Sequence, residues 1–247
     1  MRSGDNRSLV IPADADTATP AQQIKAEGDT IADRLCAIRQ TLPEHVQLVC
    51  VSKYKSRQQI MEAYQAGERL FAESRVQELV DKAGTLPDDI QWHFIGHLQT
   101  NKVRQVLPAV SLIQSVDSEH LLQKISDEAV RLGKQVDVLL EVHVAQEQTK
   151  TGFSIDEVRE LLSTVKVYNS TGHFTAFPSV RVRGLMCMAS NTDDMEQVAA
   201  EFARVSDLAH EVFNDPILSM GMSEDYLVAI EQGSNMVRIG SAIFGER

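Results

Sequence analysis

Two patterns of apolar residues alternate along the chain. Short apolar runs fall at Val46–Ser52, Arg69–Phe71, Gln91–Ile95, Ser111–Ser115, Val136–Val142, Val182–Met186, Ile217–Ser219 and Met236–Ile239, giving eight candidate strands. Between them the apolar positions repeat at helical spacing. Ile31, Leu35, Ile38 and Leu42 share one such face, and Pro43 should stop that helix. Val158, Leu161, Leu162 and Val165 form a second stripe, and Val198, Phe202, Val205, Ala209 and Val212 form the longest. Ser56 with Gln59, and Ser154 with Glu157, carry the reciprocal N-terminal capping pattern. Gly67, Gly133 and Gly233 stand where helices should end. Strands alternating with helices predict a parallel sheet with crossover helices, and eight strands is the number that closes into a (β/α)8 TIM barrel. An open doubly wound sheet is the competing arrangement.

The 247 residues match the ~250 typical of one such barrel. Residues 1–20 are polar and rich in Ala, Asp and Thr and are expected to form a flexible tail, which leaves residues 21–247 as one barrel domain with an extra N-terminal helix. The polar-aromatic stretch 168–180 reads as a surface insertion before the sixth strand. Net charge is −11 with a pI near 5.1. That balance speaks against a nucleic-acid or anionic-membrane surface, which needs clustered Lys and Arg. Cys36, Cys50 and Cys187 are odd in number, lie far apart and form no CxxC pair, as expected in a reducing compartment. No apolar run approaches membrane-spanning length, so the chain reads as soluble and cytoplasmic.

In barrels of this type the chemistry sits at the C-terminal ends of the strands, and the unusual polar residues collect there. Lys53 closes the first strand, Glu73, Ser74 and Arg75 follow the second, and His97 to Lys102 follow the third. His143 ends the fifth, Met220 to Ser223 end the seventh, and Arg238 to Ser241 end the eighth. A lysine at the end of an apolar strand is partly desolvated, which frees its amine to attack an aldehyde; a lysine that merely reaches solvent is the plainer alternative. Loops after strands 7 and 8 of such barrels often hold phosphate. Here Gly221 with Ser223, and Gly240 with Ser241, offer backbone amides and hydroxyls for one, and Ser223 is expected to cap the helix that follows it. Arg238 would point inward, either toward the ring nitrogen of pyridoxal 5′-phosphate (PLP) or into an ion pair with Glu141. His93 and His97 lie on a strand running into Gly96, so they face different ways and are not a zinc pair. Met186, Met188, Met220 and Met222 read as packing beneath a ligand or in the core, and Asp117 with Ser118 reads as a helix cap.

The segments VSKYK, FAESRVQE, WHFIGHLQTNK, SVDS, TKTGF around Lys150, RGLM, LSMGMSED and MVRIGSAIFG occur in this order and together resemble the PLP-binding, or PLP-homeostasis, family of YggS/PROSC-like proteins. The resemblance runs from about residue 30 to the end. It implies a monomeric barrel like the N-terminal domain of alanine racemase, with PLP as cofactor, an internal aldimine at Lys53, phosphate contacts at Ser223, Gly240 and Ser241, and a ring-nitrogen contact at Arg238. Ser74, His93 and Met220 complete the expected cofactor-binding set. The sequence departs from the family at Ala72 and Ser74, where Gly and Asn are usual around Glu73, and at His143, where Asn is usual. The resemblance implies a carrier of PLP without enzymatic activity, with PLP-dependent apoenzymes as candidate recipients. A minimal PLP racemase or lyase, and a protein that reports cofactor status to a partner, are the alternatives.

Overall fold

The computed structural model describes residues 30–144, 151–164 and 176–246. The expected tail at 1–20, Lys150 and most of the 168–180 stretch lie outside the described residues. The eight strands are β1 (Gln47–Val51), β2 (Leu70–Glu73), β3 (Gln91–Phe94), β4 (Leu112–Val116), β5 (Val136–His143), β6 (Val180–Met188), β7 (Ile217–Ser219) and β8 (Met236–Ile239). They pair in sequence order, all parallel, and β8 closes on β1 to make a barrel. The doubly wound alternative is thereby excluded.

Local chemistry sets the element ends. The first helix, α1 (Ile31–Thr41), is capped by Thr30 and buries Ile31, Leu35 and Ile38. Leu42 leaves the helix in an extended conformation, as expected of a residue preceding proline. Both predicted capping boxes form, Ser56 with Gln59 and Ser154 with Glu157. Gly133 ends a helix at φ 60°, the left-handed region glycine enters without a Cβ clash. Strand β2 runs two residues beyond the apolar run that announced it. Glu73 continues the ladder opposite Phe94 because its carboxylate has buried donors waiting in Ser52 and Lys82.

Alternation along the strands separates two cores. Leu48, Cys50, Phe71, Trp92, Phe94, Val138 and Leu140 face the helices, within one large apolar cluster. Val49, Val51, Ala72, Leu112, Leu139, Met186 and Met236 fill the lumen. A register shift between Val138 and Leu139 keeps β6 in phase. Without it Met186 would turn outward and Leu185 inward, because side chains change face at every residue. Gly184 sits at that shift, where a Cβ would stand 2.0 Å from the carbonyl oxygen of Ile217.

Candidate functional site

Lys53 lies two residues beyond Val51, and Val51 faces the lumen; Lys53 itself is exposed in the turn after β1. With Val51, Tyr54, Lys55, Gly240, Ser241, Gly245 and Glu246 it lines a cavity of about 210 Å³ at the barrel mouth. Lys55 lines the chain-end side of the cavity, its ammonium donating to the carbonyls of Gly245 and Glu246 at 2.7 and 3.0 Å. Ser74 follows Ala72 on the lumen side and is half-buried. A Cβ on Gly96 would stand 2.1 Å from the Ser74 carbonyl oxygen, so the turns after β2 and β3 touch through bare backbone.

Below the mouth, four polar side chains cross the lumen in one directed series. The Arg238 guanidinium donates to the Ser219 carbonyl at 2.6 Å, to the Ser219 hydroxyl at 2.8 Å and to the Cys187 carbonyl at 2.9 Å. The Ser219 hydroxyl donates to Gln114 Oε1 at 2.6 Å. The Gln114 amide then donates to His93 Nδ1 at 2.8 Å, an assignment that leaves the His93 proton on Nε2. All four residues are buried. Sequence reasoning placed His93 and Arg238 in the site but overlooked Gln114 and Ser219. Strand alternation was the available signal: both stand in phase with lumen residues of their own strands, Leu112 and Ile217.

Among the described residues Arg238 has no carboxylate within ion-pair distance, so the expected alternative of a pair with Glu141 does not form. Three neutral acceptors take three of the five N–H donors of the guanidinium, leaving two for a ligand. Burial pulls the Arg238 pKa down from its ordinary value, opposed by the more distant carboxylates of Asp225 and Glu141; arginine nevertheless remains a cation. Glu141 also faces the lumen, and burial, with Asp117 adding to it, pushes its carboxyl above the ordinary range. A cation with no carboxylate in ion-pair contact among the described residues, below a lysine at the mouth, favours an anionic ligand.

Two other expectations need correction. Ser223 does not cap the helix after β7, whose six residues Tyr226–Glu231 follow Asp225. Its buried hydroxyl instead accepts the Ala242 amide at 3.4 Å, joining the loop after β7 to the short helix after β8. Asp225 occupies the turn position, its carboxylate accepting the Met222 amide at 2.6 Å. Met220 packs outward against the helices, because Ser219 takes the lumen position in that three-residue strand. His97 is exposed and lies 3.0 Å from Asp117, while Ser118 alone caps the next helix.

A sequence model of the alanine racemase N-terminal domain matches residues 27–247. Curated relatives named pyridoxal phosphate homeostasis protein include those of Vibrio alginolyticus and Aquifex aeolicus. The first is 40% identical, covering 83% of this chain and 88% of the relative; the second is 38% identical, covering 81% and 86%. The chain belongs to the pyridoxal phosphate homeostasis protein family. Among solved structures, this family member is similar to PipY of Synechococcus elongatus, determined with PLP bound, with a TM-score of 0.78, 34% identity and coverage of 87% of this chain and 100% of PipY. It also shares the barrel of Clostridium difficile alanine racemase, with a TM-score of 0.70 at 17% identity, but covers only 57% of that enzyme.

The lumen series carries a consequence for stability. Burial lowers the His93 pKa from 6.5 to about 3. As pH falls through that interval the unfolded chain takes up a proton that the folded chain refuses, so the unfolded state gains. Wild-type protein should therefore lose stability relative to His93→Gln, by up to about 1.4 kcal/mol per pH unit. Urea unfolding of both proteins at several pH values within that interval checks this; equal slopes would show that His93 titrates as freely folded as unfolded.

Proposed function

We propose that this protein binds PLP and serves PLP homeostasis inside the cell, holding the cofactor through Lys53. The observation that carries the reading is the presence of the Lys53 amine at the mouth above the lumen cation of Arg238, which has no carboxylate partner among the described residues. PLP supplies an aldehyde that an amine captures reversibly, and a phosphate that anchors it. Lys53 Nζ adds to the aldehyde carbon, a C=N bond forms and one water leaves. Arg238 offers one of its two remaining donors to the ring nitrogen, held in place by Ser219 and Cys187. Gly240, Ser241 and Ser223 bind the phosphate, and Gly221 permits the tight turn beside them, since a Cβ there would meet Ala229 and Tyr226 at 2.7 and 2.8 Å. The names of the relatives and the PLP in PipY support this reading. No described helix is long and apolar enough to cross a membrane. A monomer in the cytoplasm, passing PLP to apoenzymes, completes the proposal.

The function is transport and buffering rather than amino-acid turnover. Racemisation needs acid–base groups on both faces of the cofactor, and two of the three described tyrosines are committed elsewhere. The Tyr226 hydroxyl lies 2.9 Å from that of Thr41, and Tyr64 donates to Asp89. Tyr54 stands beside Lys53 under the Arg75 guanidinium, 4.5 Å from its ring.

Borohydride reduction of PLP-loaded protein followed by peptide mapping should place the phosphopyridoxyl mass on Lys53; label on Lys55 or Lys150 would overturn the assignment. Ser223→Ala with Ser241→Ala should weaken PLP binding roughly tenfold to a hundredfold, as expected for losing a hydrogen bond to a charged group, and leave pyridoxal binding nearly unchanged. Parallel weakening of both ligands would remove these serines from the phosphate site. Deuterium exchange at the α-carbon of L-alanine, followed by NMR, should remain far below the ~1 s⁻¹ at the low end of enzyme turnover. Faster exchange that Glu141→Gln abolishes would favour the racemase alternative.

A further inference from the structure

The turn that carries Lys53 is held from behind, by residues outside the lumen. Ser52, before it, is fully buried. Its amide donates to the Ala72 carbonyl at 3.0 Å and its hydroxyl to Glu73 Oε1 at 2.6 Å, while its carbonyl accepts Lys82 Nζ at 2.9 Å. Tyr54, after it, is the only described non-glycine residue with positive φ, at 64°. The Tyr54 amide donates to Glu78 Oε2 at 2.8 Å. Lys82 Nζ joins the two sides, reaching Glu73 Oε1 at 2.7 Å and Glu78 Oε2 at 3.0 Å.

One ammonium thus links both carboxylates that hold the neighbours of Lys53, and the Lys53 side chain takes part in none of these bonds. The arrangement is costly. Glu73 is fully buried, and among the described residues its Oε2 has no hydrogen-bond partner. Packing alone would not retain a half-satisfied buried carboxylate, and burial pushes this one above the ordinary range. We propose that Glu73, Lys82 and Glu78 are positioning residues for Lys53, fixing Ser52 and the left-handed Tyr54 so that Lys53 Nζ enters the mouth in one orientation. The proposal rests on the PLP reading and sharpens it: the clamp governs covalent capture, while the loops after β7 and β8 govern phosphate affinity.

The test compares Glu78→Ala, which removes the acceptor of the Tyr54 amide, with Glu78→Gln, which keeps an acceptor oxygen there. Glu78 is partly exposed, its side chain 24% accessible, which lowers the risk that either variant fails to fold. Three quantities are read: the rate of borohydride-trappable adduct formation with PLP, the affinity for pyridoxine 5′-phosphate, and hydrogen exchange of the Tyr54 amide without cofactor. Pyridoxine 5′-phosphate carries an alcohol in place of the aldehyde and cannot bond to an amine. Glu78→Ala should slow capture about tenfold or more, the scale of one charge-assisted hydrogen bond, and speed Tyr54 exchange. Pyridoxine 5′-phosphate affinity should hold, and Glu78→Gln should behave as wild type. Capture at the wild-type rate despite faster Tyr54 exchange would overturn the clamp, as would loss of both ligands in parallel. A wild-type chain that forms no adduct overturns the PLP reading, a result distinct from an adduct indifferent to Glu78.

Discussion

A guanidinium sealed inside a barrel of apolar strands must be satisfied on the spot. Arg238 is only 4% exposed, and moving such a charge out of water costs several kcal/mol unless fixed dipoles replace the lost hydration. Its nearest acceptors are neutral, from Ser219 and Cys187, and the Ser219 hydroxyl is oriented in turn by Gln114. Gln114 fixes the tautomer of His93. Strands β3, β4, β7 and β8 are thereby tied across the lumen by a single chain of donors and acceptors, in which no member can be changed without unsettling the next.

The apolar residues determine where that chain can lie. Val49, Val51, Leu139 and Met186 fill the lumen around it, with Arg238 standing opposite Val49 in the pairing of β8 with β1. The register shift on β6 belongs to the same design: it brings Met186 inward and leaves Cys187 facing the helices, with its carbonyl in reach of Arg238. Outside the wall, Glu73 and Lys82 do for the Lys53 turn what Ser219 and Gln114 do for Arg238. In both cases a group proposed to meet the cofactor is held by partners outside the proposed contact set.

Strand positions were legible in the sequence because each is an apolar run between helical stripes. Their ends were less so where a polar residue continues the ladder, as Glu73 does. Lys53 and Arg238 stood out because a charge at the end of an apolar strand is rare. Gln114 and Ser219 did not, since a neutral polar residue within a strand carries no comparable local signal. Their bond spans 105 positions of sequence and exists only because the sheet closes. Met220 entered the expected set with the family resemblance, whereas the alternation that puts Ser219 in phase with Ile217 turns Met220 outward. Ser223 is a good capping residue by type, but its partner comes from the element after β8, which local sequence does not reveal.

The glycine contacts divide the barrel wall into parts that can and cannot be remodelled. At Gly96 against Ser74, and at Gly184 against Ile217, backbone touches backbone where a methyl group would have to stand. No side-chain trimming can widen the wall at those seams. An engineer seeking a wider mouth would instead work through side chains, such as the half-buried Ser74 and His143. Pocket size in this scaffold is therefore adjustable in side chains and rigid in backbone.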